Sequence, residues 1–213
     1  MYYPSGKAKI FALITMLVAW AALVLQLYLF IQQAPGNKIT VAETIGRYFT
    51  YFTILSNLLV ALGLTFILFL PGSLTRFFSR ISTQTAIAVY IFVVGLGYNF
   101  LLRHLWNPQG WQRIADELLH VAVPALYFLY WIIFVPGAAL KWKNVFTWLL
   151  YPLIYTAVAL LRGNIDGFYP YYFVDVKKLG YTAVGKNLIG LFVVLIVMNF
   201  LFIAISRWKK KKR

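Results

Sequence analysis

Residues 10–31 read IFALITMLVAWAALVLQLYLFI, a run without one charged side chain. A helix needs roughly 20 residues to cross a hydrocarbon core, and only a helix satisfies every backbone group inside one lipid-facing segment. The run therefore reads as a membrane span. It is too long for the apolar core of a secretory leader, and no small-residue cleavage site follows Leu29, Phe30 and Ile31, so it is expected to stay as an anchor. Further apolar runs follow at about 49–70, 84–106, 118–136, 145–162 and 187–206. The expected fold is all-α: one domain over 1–213, a polytopic bundle of six transmembrane helices, with residues 163–186 as a loop or cap on one face.

Composition agrees. With 62% hydrophobic and 12% charged residues and a mean hydropathy of +0.77, the 213-residue chain has too little polar surface for a soluble globule. The gaps between runs differ in charge. One set, with the two terminal segments, holds Lys7, Lys9, Arg76, Arg80, Lys141, Lys143, Arg207, Lys209, Lys210, Lys211, Lys212 and Arg213 and no acid. The other set holds Lys38, Arg47, Arg103, Arg113, Arg162, Lys177, Lys178 and Lys186 with all five acids, Glu43, Asp116, Glu117, Asp166 and Asp175. By the positive-inside rule both termini are expected in the cytoplasm. Trp106, Trp111, Trp142, Trp148 and Trp208 near span ends fit an interfacial belt.

A net charge of +15 invites a nucleic-acid reading. The tail from Arg207 to Arg213 is better read as a juxtamembrane basic run drawn to anionic inner-leaflet lipid, so membrane lipid and not nucleic acid is the expected partner. The chain has no cysteine, hence no disulfide framework and no thiolate nucleophile, and no cofactor or metal is expected.

Polar residues inside spans are costly unless they face one another or a wet cavity. Here they gather toward the outer halves: Thr50, Thr53, Ser56 and Asn57 in span two, Asn99 and Arg103 in span three, His120 in span four, Arg162 and Asn164 closing span five, Asn187 opening span six. An outward-facing polar pocket follows. At about 1.5 Å per residue, Thr53 and His120 both lie one to two turns below their entrances and can meet at one level.

His120 is the natural general base, since imidazole alone titrates near neutrality. Asp116 stands four residues earlier on the same helical face and can orient it. With Thr53 as hydroxyl, these form a nucleophile, base and orienter set; Ser56 is the competing hydroxyl, and no Gly-x-Ser-x-Gly elbow exists. Asn57, Asn99 or Arg103 are candidates for oxyanion stabilisation, and Arg162 or Arg103 for gripping a carboxylate head group. The plainer alternatives are a back-bonded threonine, a histidine bridging two spans and an acid at a helix N-terminus. Asn199 is expected to make an interhelical bond, and Pro124 and Pro152 to kink their helices.

Two other functions use the same residues. Asn99, Arg103, Asp116 and His120 would suit a proton-linked transporter or small-molecule binding protein. His104, Asp116, Glu117 and His120 carry metal-ligating atoms near one surface, but without a His-Glu-x-x-His spacing.

The stretch Tyr51-Phe52-Thr53-Ile54-Leu55-Ser56-Asn57-Leu58-Leu59-Val60, the run Leu119-His120-Val121-Ala122-Val123-Pro124, and Arg162-Gly163 through Tyr169-Pro170-Tyr171 with Phe173-Val174-Asp175 resemble bacterial six-span proteins. Those are similar to the androgen-induced, FAR-17a-like membrane proteins of animals. The resemblance covers nearly the whole chain in span number. It implies an intramembrane hydrolase of lipid-like esters, such as fatty acid esters of hydroxy fatty acids, in which Thr53 is nucleophile and His120 base. It also implies residence in a bacterial inner membrane.

Overall fold

A computed structural model describes residues 1–36, 39–105 and 107–211. Lys38, Trp106, Lys212 and Arg213, used in the reading above, lie outside the described residues. The elements are α1 (Gly6–Gln33), α2 (Val41–Tyr48), α3 (Phe52–Phe69), α4 (Ser73–Phe78), α5 (Ile81–Gly97), α6 (Gly110–Glu117), α7 (Val123–Ile133), α8 (Asn144–Asp166) and α9 (Val176–Lys211). A π-helical turn, Tyr98–Leu102, extends α5, and a second, Leu118–Ala122, joins α6 to α7. Among the described residues, six helical units are long and apolar enough to cross a membrane: α1, α3, Ile81–Leu102, Gly110–Ile133, α8 and α9. The chain is an integral membrane protein.

Two boundaries differ from the hydropathy reading. The second span begins at Phe52, because 41–48 forms a separate helix whose N-cap, Thr40, accepts the Glu43 amide at 3.1 Å. That helix is tied back where the Tyr48 hydroxyl donates to the Leu23 carbonyl at 2.8 Å. The expected loop 163–186 is shorter than its composition suggested. Helix α8 continues to Asp166 and stops at Gly167, which takes the left-handed conformation (φ 80°) that closes a helix C-terminus. After a 3₁₀ turn at Tyr172–Val174, α-helical structure resumes at Val176 and is broken only at Gly180 (φ 77°, ψ 161°), so 167–175 alone is the cap.

The connections alternate between two ends of the bundle. At the end carrying the termini, the Tyr2 amide donates to Ser79 O at 2.7 Å and Arg207 Nη1 to Leu140 O at 3.1 Å. The Lys209 ammonium donates to the Trp131 and Val135 carbonyls, closing the end of α7. At the opposite end Arg162 Nη1 donates to Gly46 O at 2.5 Å, the Arg47 guanidinium lies 4.6 Å over the Phe168 ring, and Gln33 Nε2 reaches Gln112 Oε1 at 3.4 Å.

Helices α1, α3, α5 and α7 make the centre. Ala12, Ala19 and Ala22, all fully buried, let α1 lie close to its neighbours, as small residues do in membranes. Toward the termini the interior is filled by Leu64, Ile91, Tyr127, Tyr130, Trp131 and Phe202. Helix α8 makes its close backbone contacts with α9 and reaches α3 and α5 through rings: Phe52 to Tyr151 and Tyr155 at 5.2 and 5.0 Å, Tyr90 to Tyr151 at 4.8 Å. That stand-off leaves room for a cavity.

Pro152 sits in α8 and cannot supply an amide to the carbonyl four residues earlier. The Tyr90 hydroxyl donates to that carbonyl, Trp148 O, at 2.6 Å instead. Asn199 departs from expectation: it is fully buried, and neither amide atom has a hydrogen-bond partner among the described residues. The interhelical bond read from the sequence is not formed.

Candidate active site

Threonines in these helices mostly return their hydroxyl to their own backbone. Thr15, Thr44, Thr50, Thr65, Thr85 and Thr156 each donate to the carbonyl four residues back, at 2.7 to 2.9 Å. Thr53 occupies the first turn of α3, where the helix offers no such carbonyl. Its hydroxyl points across to the fourth span, with Oγ1 at 3.3 Å from His120 Nε2.

His120 is aimed by a backbone irregularity. Pro124 has no amide, and its ring opposes the carbonyl four residues earlier, which is that of His120. The chain answers with the π-helical turn Leu118–Ala122, a kind of irregularity frequent at functional sites. Gly95 of α5 packs against this turn; a Cβ there would sit 3.1 Å from Pro124 Cβ and 3.3 Å from His120 O. The other π turn, Tyr98–Leu102, carries Tyr98, whose ring stacks on the imidazole with centroids 4.1 Å apart.

The tautomer follows from the partners. His120 Nδ1 lies 2.9 Å from the Asp116 carbonyl and 3.2 Å from Asp116 Oδ1. Both only accept, so in the neutral imidazole Nδ1 carries the hydrogen and Nε2 is left as an acceptor facing Thr53. The Tyr98 hydroxyl donates to Asp116 Oδ2 and fixes the carboxylate in turn. On the other side the Tyr171 hydroxyl accepts the Thr53 amide at 3.2 Å and lies 3.3 Å from Thr53 Oγ1. Burial pushes the Tyr171 phenol above its ordinary value, so it stays protonated and keeps a hydrogen to donate.

Two cavities meet at this pair. One, of about 90 Å³, is apolar and runs between α3, α5, α8 and α9, lined by Val93, Val94, Leu101, Ala159, Leu188, Leu191 and Leu195 among others. The second, of about 450 Å³, opens toward the end opposite the termini and is lined by Gln26, Gln33, Gln112, Asp116 and the cap residues Pro170 to Tyr172. Thr53, Tyr98, Leu102, His120 and Tyr171 border both.

Of the residues proposed from sequence, Thr53, His120 and Asp116 come together. Asn57 does not serve as a free donor: Nδ2 donates to Thr53 O at 2.8 Å and to Leu119 O at 3.2 Å, locking α3 to the π turn. Asn99 returns its Nδ2 to Gly95 O at 2.8 Å and borders neither cavity. Arg103 pairs with Glu117 on the surface at 2.6 Å. Arg162 is held by Asp166 at 2.9 Å, the Gly46 carbonyl and Thr50 Oγ1, also outside both cavities. Each longer or amide side chain found a local partner first. Ser56, the competing hydroxyl, meets Tyr151 Oη at 3.3 Å and no histidine. His104 is exposed, and among the described residues no three His, Cys, Asp or Glu side chains converge.

Sequence reasoning passed over Tyr98, Tyr155, Tyr171 and the three glutamines. The glutamines were visible, since Gln26 is a polar residue inside a span. Tyrosine gave no signal in a chain with 15 of them. No family model, curated protein or solved structure matches the chain.

Proposed function

We propose that the chain is an intramembrane ester hydrolase, with Thr53 as nucleophile and His120 as general base. The carrying observation is the 3.3 Å approach of Thr53 Oγ1 to an Nε2 that the Asp116 carbonyl keeps free of hydrogen. Thr53 Oγ attacks the acyl carbonyl as its proton passes to Nε2; the C–O bond to the alcohol breaks, and the imidazolium returns that proton to the leaving oxygen. Water, activated by the same nitrogen, then hydrolyses the threonyl ester. Tyr155, which lines the apolar cavity and whose hydroxyl meets that of Tyr171, takes the oxyanion-donor role first given to Asn57, Asn99 or Arg103.

The two cavities suit a lipid-like ester, with the acyl arm in the apolar one. The positive-inside count assigns the site to the outer leaflet of the membrane, in a bacterium the inner membrane, with the basic tail against anionic lipid on the other face. The filled interior from Leu64 to Phe202 favours a reaction site over a transport path through both leaflets.

The test is hydrolysis of a fatty acyl ester by the purified chain in lipid nanodiscs. Thr53→Ala and His120→Ala are each expected to lower kcat/KM by about 10²- to 10⁴-fold, and Thr53→Ala to abolish labelling by an alkyl phosphonate. Wild-type turnover in both variants would overturn the proposal.

A further inference from the structure

Resting on the hydrolase reading, the geometry points to the class of alcohol released: we infer that the outer cavity takes an uncharged, hydroxylated group of the glycerol kind and excludes a free carboxylate.

The lining of that cavity carries the inference. Gln112 Nε2 donates to Gln26 Oε1 at 3.0 Å, and Gln33 Nε2 to Gln112 Oε1 at 3.4 Å, forming a short chain of amides along its wall. Gln26 is 5% exposed, and its amide nitrogen makes no protein hydrogen bond among the described residues. Such a wall offers donors and acceptors side by side, the pattern that a hydroxyl, itself donor and acceptor, satisfies. A carboxylate only accepts and needs a cation once out of water.

No Lys or Arg is among the described residues lining the cavity, whereas the Asp116 carboxylate is. Of the arginines near this end, Arg47, Arg103 and Arg162 each have a carboxylate partner, and Arg113 is exposed and lines neither cavity. Arg103 faces Glu117 on the surface, and Arg162 is bound into the cap by Asp166. Arg47 lines an adjoining side pocket that shares Phe30, Gln33 and Tyr51 with the outer cavity; its Nη2 is paired with Glu43 at 2.6 Å and its guanidinium is stacked on Phe168, while its Nε has no partner among the described residues. A substrate carboxylate in the outer cavity would thus face Asp116 without a counter-ion. A diol or polyol would meet the glutamines.

The experiment separates recognition from turnover by using probes that cannot be cleaved. Wild-type chain in zwitterionic nanodiscs at pH 8 is titrated, by its intrinsic fluorescence, with a 1-O-alkyl glycerol ether and with an alkoxy carboxylic acid of equal length. The ether is expected to bind at least 10-fold more tightly, and Gln33→Lys, at the exposed rim, to narrow the ratio by raising affinity for the acid; Gln112→Lys is the second variant should the first not fold. Equal or tighter binding of the acid to wild type overturns the inference, and loss of that binding in Arg47→Gln would place the carboxylate in the side pocket. Matched cleavable esters complete the design. A preference for the ether without Thr53-dependent cleavage of either ester would retain the cavity assignment and sink the hydrolase. Faster Thr53-dependent cleavage of the carboxylate-bearing ester would do the reverse.

Discussion

Replacing Asp116 by Asn tests how the base is oriented. In a Ser-His-Asp triad the same change costs about 10⁴-fold, chiefly because the imidazole adopts the wrong tautomer. Here the Nδ1 hydrogen is held first by a backbone carbonyl, at 2.9 Å, and only second by the carboxylate, at 3.2 Å. The carbonyl survives the substitution, and Asn can turn its oxygen to Nδ1 and its amide to Tyr98. What is lost is the charge on a hydrogen bond to the imidazolium of the transition state, worth about 1.5–3 kcal/mol. At 1.36 kcal/mol per tenfold, Asp116→Asn should lower kcat by roughly 10- to 150-fold, not 10⁴.

The assay pairs ester turnover with imidazole ¹⁵N resonances at pH 8, above the ordinary titration range of imidazole. The chain has only 2 histidines, so one variant, His104→Gln, assigns the spectrum. Nδ1 should carry the hydrogen in wild type and in Asp116→Asn alike. A 10⁴-fold loss accompanied by a switch to hydrogen on Nε2 would refute the backbone's role, and hydrogen on Nε2 in the wild type would refute the proposed base.

Other substitutions probe the frame. Gly163→Ala places a Cβ inside the Tyr169 ring, so the cap must lift; expected are a loss of about 1–3 kcal/mol and faster proteolysis within 167–175. Tyr90→Phe strands the Trp148 carbonyl above Pro152 and should cost about 1–3 kcal/mol, read as a lowered melting temperature. Asn199→Leu removes an amide with no partner among the described residues and should raise the melting temperature; a fall would show that a group outside the protein satisfies it.

How much of this was legible follows from which interactions have a range. Hydrophobic length is local, so six spans and their alternating loops could be read from runs such as 10–31 alone. Depth is nearly local too: counting residues from Arg47 and Asp116 placed Thr53 and His120 at one level. Partner choice was misjudged even where it is local. Asn57, Asn99 and Arg162 each looked available, and each has a partner four residues away, the Thr53 and Gly95 carbonyls and the Asp166 carboxylate, while Arg103 meets Glu117 of another element. Helix ends were blurred for a related reason, since Gly167 and Gly180 set the cap through positive φ rather than through hydropathy. Pro124, read from the sequence only as a kink, was the clue that reached furthest. Its missing amide predicts a disturbed turn containing His120, though not which way the ring would face.

The site is best understood as the place where two helices fail to be regular at the same depth. A hydroxyl in a membrane helix normally disappears into the carbonyl one turn back, as those of Thr15, Thr65, Thr85 and Thr156 do here. Starting α3 at Phe52 denies Thr53 that partner, while Pro124 and the π turn swing His120 out of the ordinary helical register. Each irregularity alone would leave a polar group in a poor environment, at a cost of about 1–3 kcal/mol. Together they satisfy each other across the bundle, and Asn57 bolts the two backbones at that level by bonding Thr53 O and Leu119 O. The resulting contact is long, at 3.3 Å, so stability gains little from it. A bundle selected for stability alone would use a valine and a leucine at these positions, and the proposed ester hydrolysis gives the polar pair a reason that packing does not.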